Sequence, residues 1–305
     1  MPLPECRCCA APLADATRLR GRDRLHGLGD PVEVAICPSC GAGLTLPELP
    51  PERLGELYPS EYAPYDLPTA GLARVASTTI RRRQGRHALR TAPINALRGR
   101  SPGRAVDVGC GRGDLGATLA GEGWQMTGIE PSPAACAVAA GRGIDARRGT
   151  LADVELEAAS YDAATFMHSL EHVESPVDHL AMVREALRPG GLVLITVPNF
   201  GGWQSRLFRG RWYHLDLPRH RVHFTRAGLA HALRRAGLEP ETLTTSSSAV
   251  GLAASIQYAV AGRCLFPSGN ALRLAVAAST LAYPVVIGGD RLAGEGDLLH
   301  AVAMA

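Results

Sequence analysis

The residues able to do chemistry fall into three sets. Asp107, Gly109, Gly111 and Gly113 stand where an apolar run ends and a helix-forming run begins. Glycines at such a turn let the backbone lie against a ligand, and in an open parallel sheet this is the carboxyl end of a strand, where ligands bind. Spacing selects the ligand. A dinucleotide fingerprint needs G-x-G-x-x-G, but Asp114 occupies the place of its last glycine, and the chain has no lysine to complete a P-loop. Seventeen residues beyond Gly113, Glu130 offers a carboxylate that can accept two hydrogen bonds from a ribose diol. Together these residues predict a nucleoside site that need not neutralise phosphate.

The second set is two C-x-x-C pairs, Cys6 with Cys9 and Cys37 with Cys40. Met1 to Ala10 lacks an apolar signal core, so the expected location is the cytoplasm, where paired cysteines read as metal ligands before disulfides. Four thiolates suit tetrahedral zinc, and Pro38 and Gly41 suit a tight knuckle that aims backbone amides at sulfur. With no open coordination position the expected role is structural. Twenty-seven residues separate the pairs, so a hairpin must fold back between them. Cys8 is spare, and Cys110, Cys136 and Cys264 read as buried thiols.

The third set is His168, Glu171 and His172, with His214, Asp216, His220 and His223 further on. Both groups follow predicted strands and so fall on the ligand side of a parallel sheet. The run H-x-D-x-x-x-H-x-x-H has no helical metal-site spacing, and Pro218 would break the helix such a site needs, so it is not read as a catalytic metal motif.

These sets need a scaffold, and 305 residues allow one full α/β domain with appended pieces. With 46% hydrophobic and 20% charged residues the chain reads as globular, and a net charge of +3 excludes a surface that binds nucleic acid throughout. From Arg104 onward strand-like and helix-like runs alternate, the signature of a parallel sheet with crossover helices. Predicted strands cover 105–108, 124–130, 144–148, 161–167, 192–197, 239–247 and 298–303. Ser132-Pro133, Ser175-Pro176 and Thr225 are helix caps, and Pro189, Gly190 and Gly191 form a turn. The expected division is a zinc-ribbon-like domain at 1–46, a Tyr/Pro-rich connector and Arg-rich helical segment at 47–103, and the α/β domain at 104–305.

The blocks Ala105-Val-Asp-Val-Gly-Cys-Gly-Arg-Gly-Asp114, Gly128-Ile-Glu-Pro-Ser132, Tyr161-Asp-Ala-Ala-Thr-Phe-Met-His-Ser-Leu-Glu-His-Val173 and Leu187-Arg-Pro-Gly-Gly191 occur in an order that resembles the class I S-adenosylmethionine-dependent methyltransferases. The resemblance covers roughly 104–248 plus the final strand. It implies a Rossmann-like seven-stranded sheet with a reversed last hairpin. By position Asp107, Gly109, Cys110, Gly111 and Gly113 would wrap the methionine part of the cofactor, and Glu130 would hold the ribose. Thr150 and Leu151 would lie by the adenine, with Asp153 as a substitute contact, and Met167 and His168 would face the sulfonium. The paired cysteines, Leu57-Tyr-Pro-Ser-Glu-Tyr62 and Trp212-Tyr-His-Leu-Asp-Leu-Pro-Arg-His-Arg-Val-His-Phe224 look like bacterial methyltransferases with an N-terminal zinc ribbon, many of which act on sugars, polysaccharide precursors or natural products.

Methyl transfer is an in-line displacement, so the protein must supply proximity and, for many acceptors, a base. The expected base is His223, then His220, then His172, with Glu171 or Asp216 orienting it. The expected function is methylation of O, N or C on a small or carrier-bound metabolite. Two rival readings stand beside it: an RNA methyltransferase using the ribbon and the Arg-rich helix, and a non-catalytic module that only senses the cofactor. The RNA reading draws on Arg74, Arg81, Arg82, Arg83, Arg86, Arg90, Arg98, Arg100 and Arg104, a run without acidic partners. It lacks stacking platforms, because 10–36 contains no Phe, Tyr or Trp. The segment 249–295 reads as a helical insertion before the last strand, with Leu272, Leu274, Ala275, Ala278, Leu281 and Ala282 at helical spacing. It is expected to pack on the sheet or on its twin in a homodimer, and it is too interrupted for a membrane span.

Overall fold

The computed structural model describes residues 5–50, 53, 56–58, 93–265 and 279–305. Tyr62, Tyr65, the arginines from Arg74 to Arg90, and the apolar residues from Leu272 to Ala278 lie outside them.

Two sheets organise the molecule. The smaller takes β1 (Thr17–Gly21), β2 (Val32–Ile36) and β3 (Gly43–Leu46) from the N-terminal region. The larger is built from β4 (Arg104–Val108), β5 (Gln125–Glu130), β6 (Asp145–Arg148), β7 (Tyr161–Met167) and β8 (Leu187–Pro198). It is completed by β10 (Glu239–Ser246) and β11 (Leu298–Met304). Between β8 and β10 in sequence comes β9 (Val222–His223), and this two-residue strand belongs to the smaller sheet.

The seven-stranded order is β10-β11-β8-β7-β4-β5-β6, with β11 antiparallel to both neighbours. Parallel strands need crossovers. These are α1 (Asp114–Gly121) after β4, α2 (Pro133–Ala140) after β5 and α3 (Pro176–Ala186) after β7. A short α4 (Trp203–Phe208) follows β8, α5 (Arg226–Arg235) precedes β10, and α6 (Ala249–Ala261) and α7 (Tyr283–Ala293) lie in the segment before β11. Two of the three predicted caps bond as expected, Ser132 Oγ accepting from Ala135 N and Thr225 Oγ1 from Gly228 N, whereas Ser175 stands at the N-cap of α3 without a side-chain cap hydrogen bond. The predicted turn at Pro189 to Gly191 is instead drawn into β8, because Leu187 pairs with Tyr161 and the ladder resumes at Leu192 after a register shift. No helix among the described residues is long and apolar enough to cross a membrane.

Alternation along the strands sorts the core onto two faces. Leu192 and Leu194 bury on one face with Trp124 and Leu119, while Val193, Ile195 and Val197 bury on the other. That second face is shared. Its cluster continues without a break into Leu13, Ala35, Leu44 and the paired cysteines of the small sheet.

Buried arginines reinforce this junction. Arg219 is fully buried and donates to Asp23 of the ribbon, to both carboxylate oxygens of Asp216 and to the Leu57 carbonyl. Arg221, equally buried, donates to Glu174 and to the carbonyls of Thr45 and Pro47. Arg104, expected to belong to a run without acidic partners, pairs with Glu157 and lies over the Tyr161 ring. Its partner comes from distant sequence.

Removing one member of a buried ion pair leaves the other charge uncompensated. Arg219→Ala should therefore lower unfolding stability by about 3–5 kcal/mol, read from urea denaturation. A midpoint equal to that of the parent would show that the junction does not depend on this guanidinium.

Candidate functional site

The glycine turn sits where β4 ends. Gly109, Gly111 and Gly113 have φ of 75°, 53° and 75°, the left-handed region in which L side chains are strained. Space closes the case at two of them. A Cβ on Gly109 would lie 2.5 Å from Cβ of Ser169, and one on Gly113 would lie 2.4 Å from Cδ1 of Ile144. Ser169 in turn donates to the Val108 carbonyl at 2.6 Å, so the segment after β7 is fastened to the turn after β4.

Two buried carboxylates flank the turn. Glu130, at the end of β5, accepts from Gly111 N at 2.9 Å and Ser132 N at 2.8 Å. Burial raises its pKa, against those two hydrogen bonds. Asp107 accepts a 2.5 Å hydrogen bond from Thr165 on β7, and burial, with the Glu130 charge adding to it, pushes its carboxyl up to about 6. Burial also pushes the Cys110 thiol up to about 12. Beyond β6, Thr150 donates to Asp153 through both N and Oγ1, and Leu151 is buried beside them. Met167 is half-buried at the end of β7, and His168 follows it with φ of 58° and a side chain 48% exposed.

The cysteines converge. Cys6 and Cys40 Sγ are 3.5 Å apart, Cys9 and Cys37 are 3.6 Å apart, and all four sulfurs lie within 4.8 Å of one another. Four sulfurs about 2.3 Å from a zinc ion stand roughly 3.8 Å from each other, so the thiolates fit the metal. The two knuckles have the same construction. Ala10 N donates to the Cys6 carbonyl and Gly41 N to the Cys37 carbonyl, and Ala10 and Gly41 both take positive φ. Cys8 is fully buried beside them, and contact with Cys6, together with burial, pushes its thiol well up.

The histidines divide into three destinations. His223, expected first as a base, lies in β9 at 3% exposure. Thr45 Oγ1 donates its only hydrogen to the His220 carbonyl, so His223 Nε2 must donate to Thr45 at 2.9 Å. Burial, then the charges of His220 and Arg221, push His223 down to about 3. Its ring ties β3 to β9 through Thr45. His214 turns toward the insertion, its Nε2 3.2 Å from Asp297 Oδ2. His168, His172 and His220 gather around Glu171, so the four residues of the 214–223 motif do not share one centre.

Glu171 is 1% exposed, and neither carboxylate oxygen accepts a hydrogen bond among the described residues. His168 Nδ1 is 3.5 Å and His220 Nε2 4.0 Å from its Oε1. Burial alone would raise this carboxyl, but His168, His220 and His172 outweigh it and hold it at about 2. Burial pushes His220 down to about 4, with His172 adding to the effect. The rings of His172 and His220 meet edge-on at 4.6 Å. Tyr58 and Thr45, both from the N-terminal side, hold the outer atoms of this group. Their sequence positions carry no signal for it, since contact is made through Tyr58 Oη to His172 Nδ1 at 2.8 Å and through Thr45 to the His220 carbonyl.

Residues 80–243, more than half of the chain, match the family described as methyltransferase domain. Among curated relatives, the ubiquinone biosynthesis O-methyltransferase of Burkholderia multivorans is 39% identical over 105 residues, 32% of this chain and 44% of that protein. The protein of the same name from Aromatoleum aromaticum is 33% identical over 154 residues, 46% of this chain and 65% of its own length. The chain thus spans about half the length of the curated relatives it matches. Among solved structures, a geranyl diphosphate methyltransferase in complex with S-adenosylmethionine superposes with a TM-score of 0.51 at 18% identity, covering 78% of this chain and 92% of that one, a likeness of fold.

The cysteine geometry gives a direct test. The protein should carry one tightly held zinc in the ribbon, and Cys37→Ser should lose it and lower the unfolding midpoint, read by metal analysis and thermal melting. A variant that kept both zinc content and midpoint would remove the metal from the account.

Proposed function

The chain belongs to the methyltransferase domain family, whose class I members use S-adenosylmethionine, and from that premise we propose that it methylates a hydroxyl oxygen of a small or carrier-bound metabolite. Sugar nucleotides, polysaccharide precursors and natural-product intermediates are the acceptor types to try first. The observation that carries this reading is the fastening of the Glu171 and histidine group to the glycine turn through Ser169. A cofactor turn and a proton-handling group then act on one space. Oxygen is favoured over nitrogen or carbon because the matching relatives are named O-methyltransferases.

When bound, S-adenosylmethionine supplies an electrophilic methyl group on a sulfonium that leaves as a neutral thioether. Glu130 would hold the ribose and Asp107 the cationic methionine end, with Gly109, Cys110, Gly111 and Gly113 lending backbone. Thr150 and Leu151 would border the adenine, and Met167 the sulfonium. The acceptor's proton goes to His168. Its ring is half-exposed and can pass the proton to water, while the neighbouring Glu171 carboxylate stabilises the imidazolium. His172 and His220 line the other side of that carboxylate. His223 has a positioning role, holding the 220–224 segment against Thr45.

Two outcomes are expected. Incubation with the cofactor and a panel of hydroxylated acceptors should release S-adenosylhomocysteine and an O-methyl product. Glu171→Gln should slow that reaction by about 10²–10³-fold while cofactor affinity holds, and equal turnover in parent and variant would take Glu171 out of the chemistry. Cofactor affinity should depend on pH through Asp107. A carboxyl at about 6 is ionised at pH 7 and mostly protonated at pH 5, and the ionised form favours a cationic ligand. Calorimetry should therefore find affinity about tenfold weaker at pH 5 than at pH 7, and Asp107→Asn should flatten the dependence. A parent that binds equally well at both pH values would refute this role of Asp107.

A further inference from the structure

The proton bookkeeping around Glu171 leaves a gap. His220 Nδ1 is 3.0 Å from the His214 carbonyl oxygen, an acceptor only, so in the neutral ring the hydrogen is on Nδ1 and Nε2 carries a lone pair. That lone pair faces the buried Glu171 carboxylate, itself an acceptor with no hydrogen bond among the described residues. His172 completes the group, its Nδ1 engaged by Tyr58 Oη, which leaves Nε2 for the interior. One ligand atom from each of Glu171, His172 and His220 lies within 4.8 Å of the others. In the tautomer in which His172 Nδ1–H donates to Tyr58 Oη, its Nε2 also presents a lone pair. Three electron-pair donors thus converge with only His168 Nδ1, 3.5 Å from Glu171 Oε1, as a neighbouring proton donor, and burying such a group without a cation is costly.

We propose that Glu171, His172 and His220 bind one first-row divalent cation, and that this ion takes the acceptor hydroxyl as a further ligand. The proposal rests on the methyl-transfer reading above for the hydroxyl, though not for the ion. Ligands about 2.0–2.2 Å from one ion require the three side chains to close by roughly an ångström. Each histidine is already oriented through its outer nitrogen, by a backbone carbonyl for His220 and a phenol for His172, the arrangement that fixes metal-binding imidazoles. Two neutral imidazoles and one carboxylate leave a net charge of +1 on the ion, which favours an anionic oxygen as the next ligand. Coordination lowers the pKa of a hydroxyl bound there, so that His168 can receive its proton. The oxygen lone pair then forms the bond to the methyl carbon as the carbon–sulfur bond pair returns to sulfur. The donor set differs from the ribbon's four thiolates, so the two sites prefer different metals. Nitrogen and oxygen donors accept Mn(II), whereas the thiolates select zinc.

Manganese separates them. Protein with its ribbon saturated by zinc should bind one further Mn(II) per chain, read from loss of the free-ion electron paramagnetic resonance signal. Glu171→Gln and His220→Ala should each weaken this binding by at least about tenfold, and Tyr58→Phe by about tenfold. Circular dichroism and cofactor calorimetry on each variant report folding independently. Wild-type protein that binds the cofactor and takes up no Mn(II) would overturn the inference and leave the methyltransferase reading intact, as would folded variants that bind Mn(II) as the parent does. Stoichiometric Mn(II) lost in these variants would support the site even if every acceptor tried went unmethylated.

Discussion

Val222 and His223 form a strand too short to stand alone, and their ladder partners are Leu44 and Gly43 of the ribbon. A buried backbone must find hydrogen-bond partners, so this pairing fixes where the ribbon sits on the larger sheet. A Cβ on Gly43 would fall 2.5 Å from Val34 and 3.2 Å from His223, so glycine lets β3 lie this close to both β2 and β9. The consequence reaches the site. With β9 anchored, the residues just before it, Arg219 to Arg221, are drawn into the interior between ribbon and sheet.

Burying two arginines there requires carboxylates and carbonyls around them, and both parts of the molecule supply these. Asp23 and Thr45 come from the ribbon, Asp216 from the segment between α4 and β9, and Glu174 from the segment after β7. The Arg221 amide also donates to the Glu171 carbonyl. The histidine group is therefore held from two sides, by the ribbon through Thr45 and Tyr58 and by the glycine turn through Ser169. A zinc ion at the cysteines would act on the site through this mechanical route, by keeping β3 and its neighbours in register.

The charge pattern follows from depth. His223 and His220 are driven toward neutrality by burial, whereas Asp216, with its side chain 12% exposed, stays well below the usual carboxylate range because the Arg219 guanidinium in contact with it outweighs desolvation. Asp107 has only Thr165 and ends near neutral pH. The same desolvation thus gives opposite outcomes according to whether a cation is in contact.

The sheet was legible because its signals are local. Alternation in β7 and β8, the caps at Ser132 and Thr225, and the glycines after β4 each report the backbone they require within a few residues. The cysteine pairs are legible for the same reason, since each knuckle closes within five residues. The candidate base was not. His220 and His223 are three residues apart and share a residue type, and whether each faces a carboxylate or a threonine depends on which partner strand β9 finds 178 residues earlier in the chain. Glu171, His172, His220 and Tyr58 are scattered in sequence, and no spacing rule links them. The amino-acid order alone determined the seven-stranded frame, the nucleoside turn and the thiolate pairs, because short-range sterics and periodicity govern them. Only the folded chain decided which buried polar groups meet, because long-range packing sets that choice.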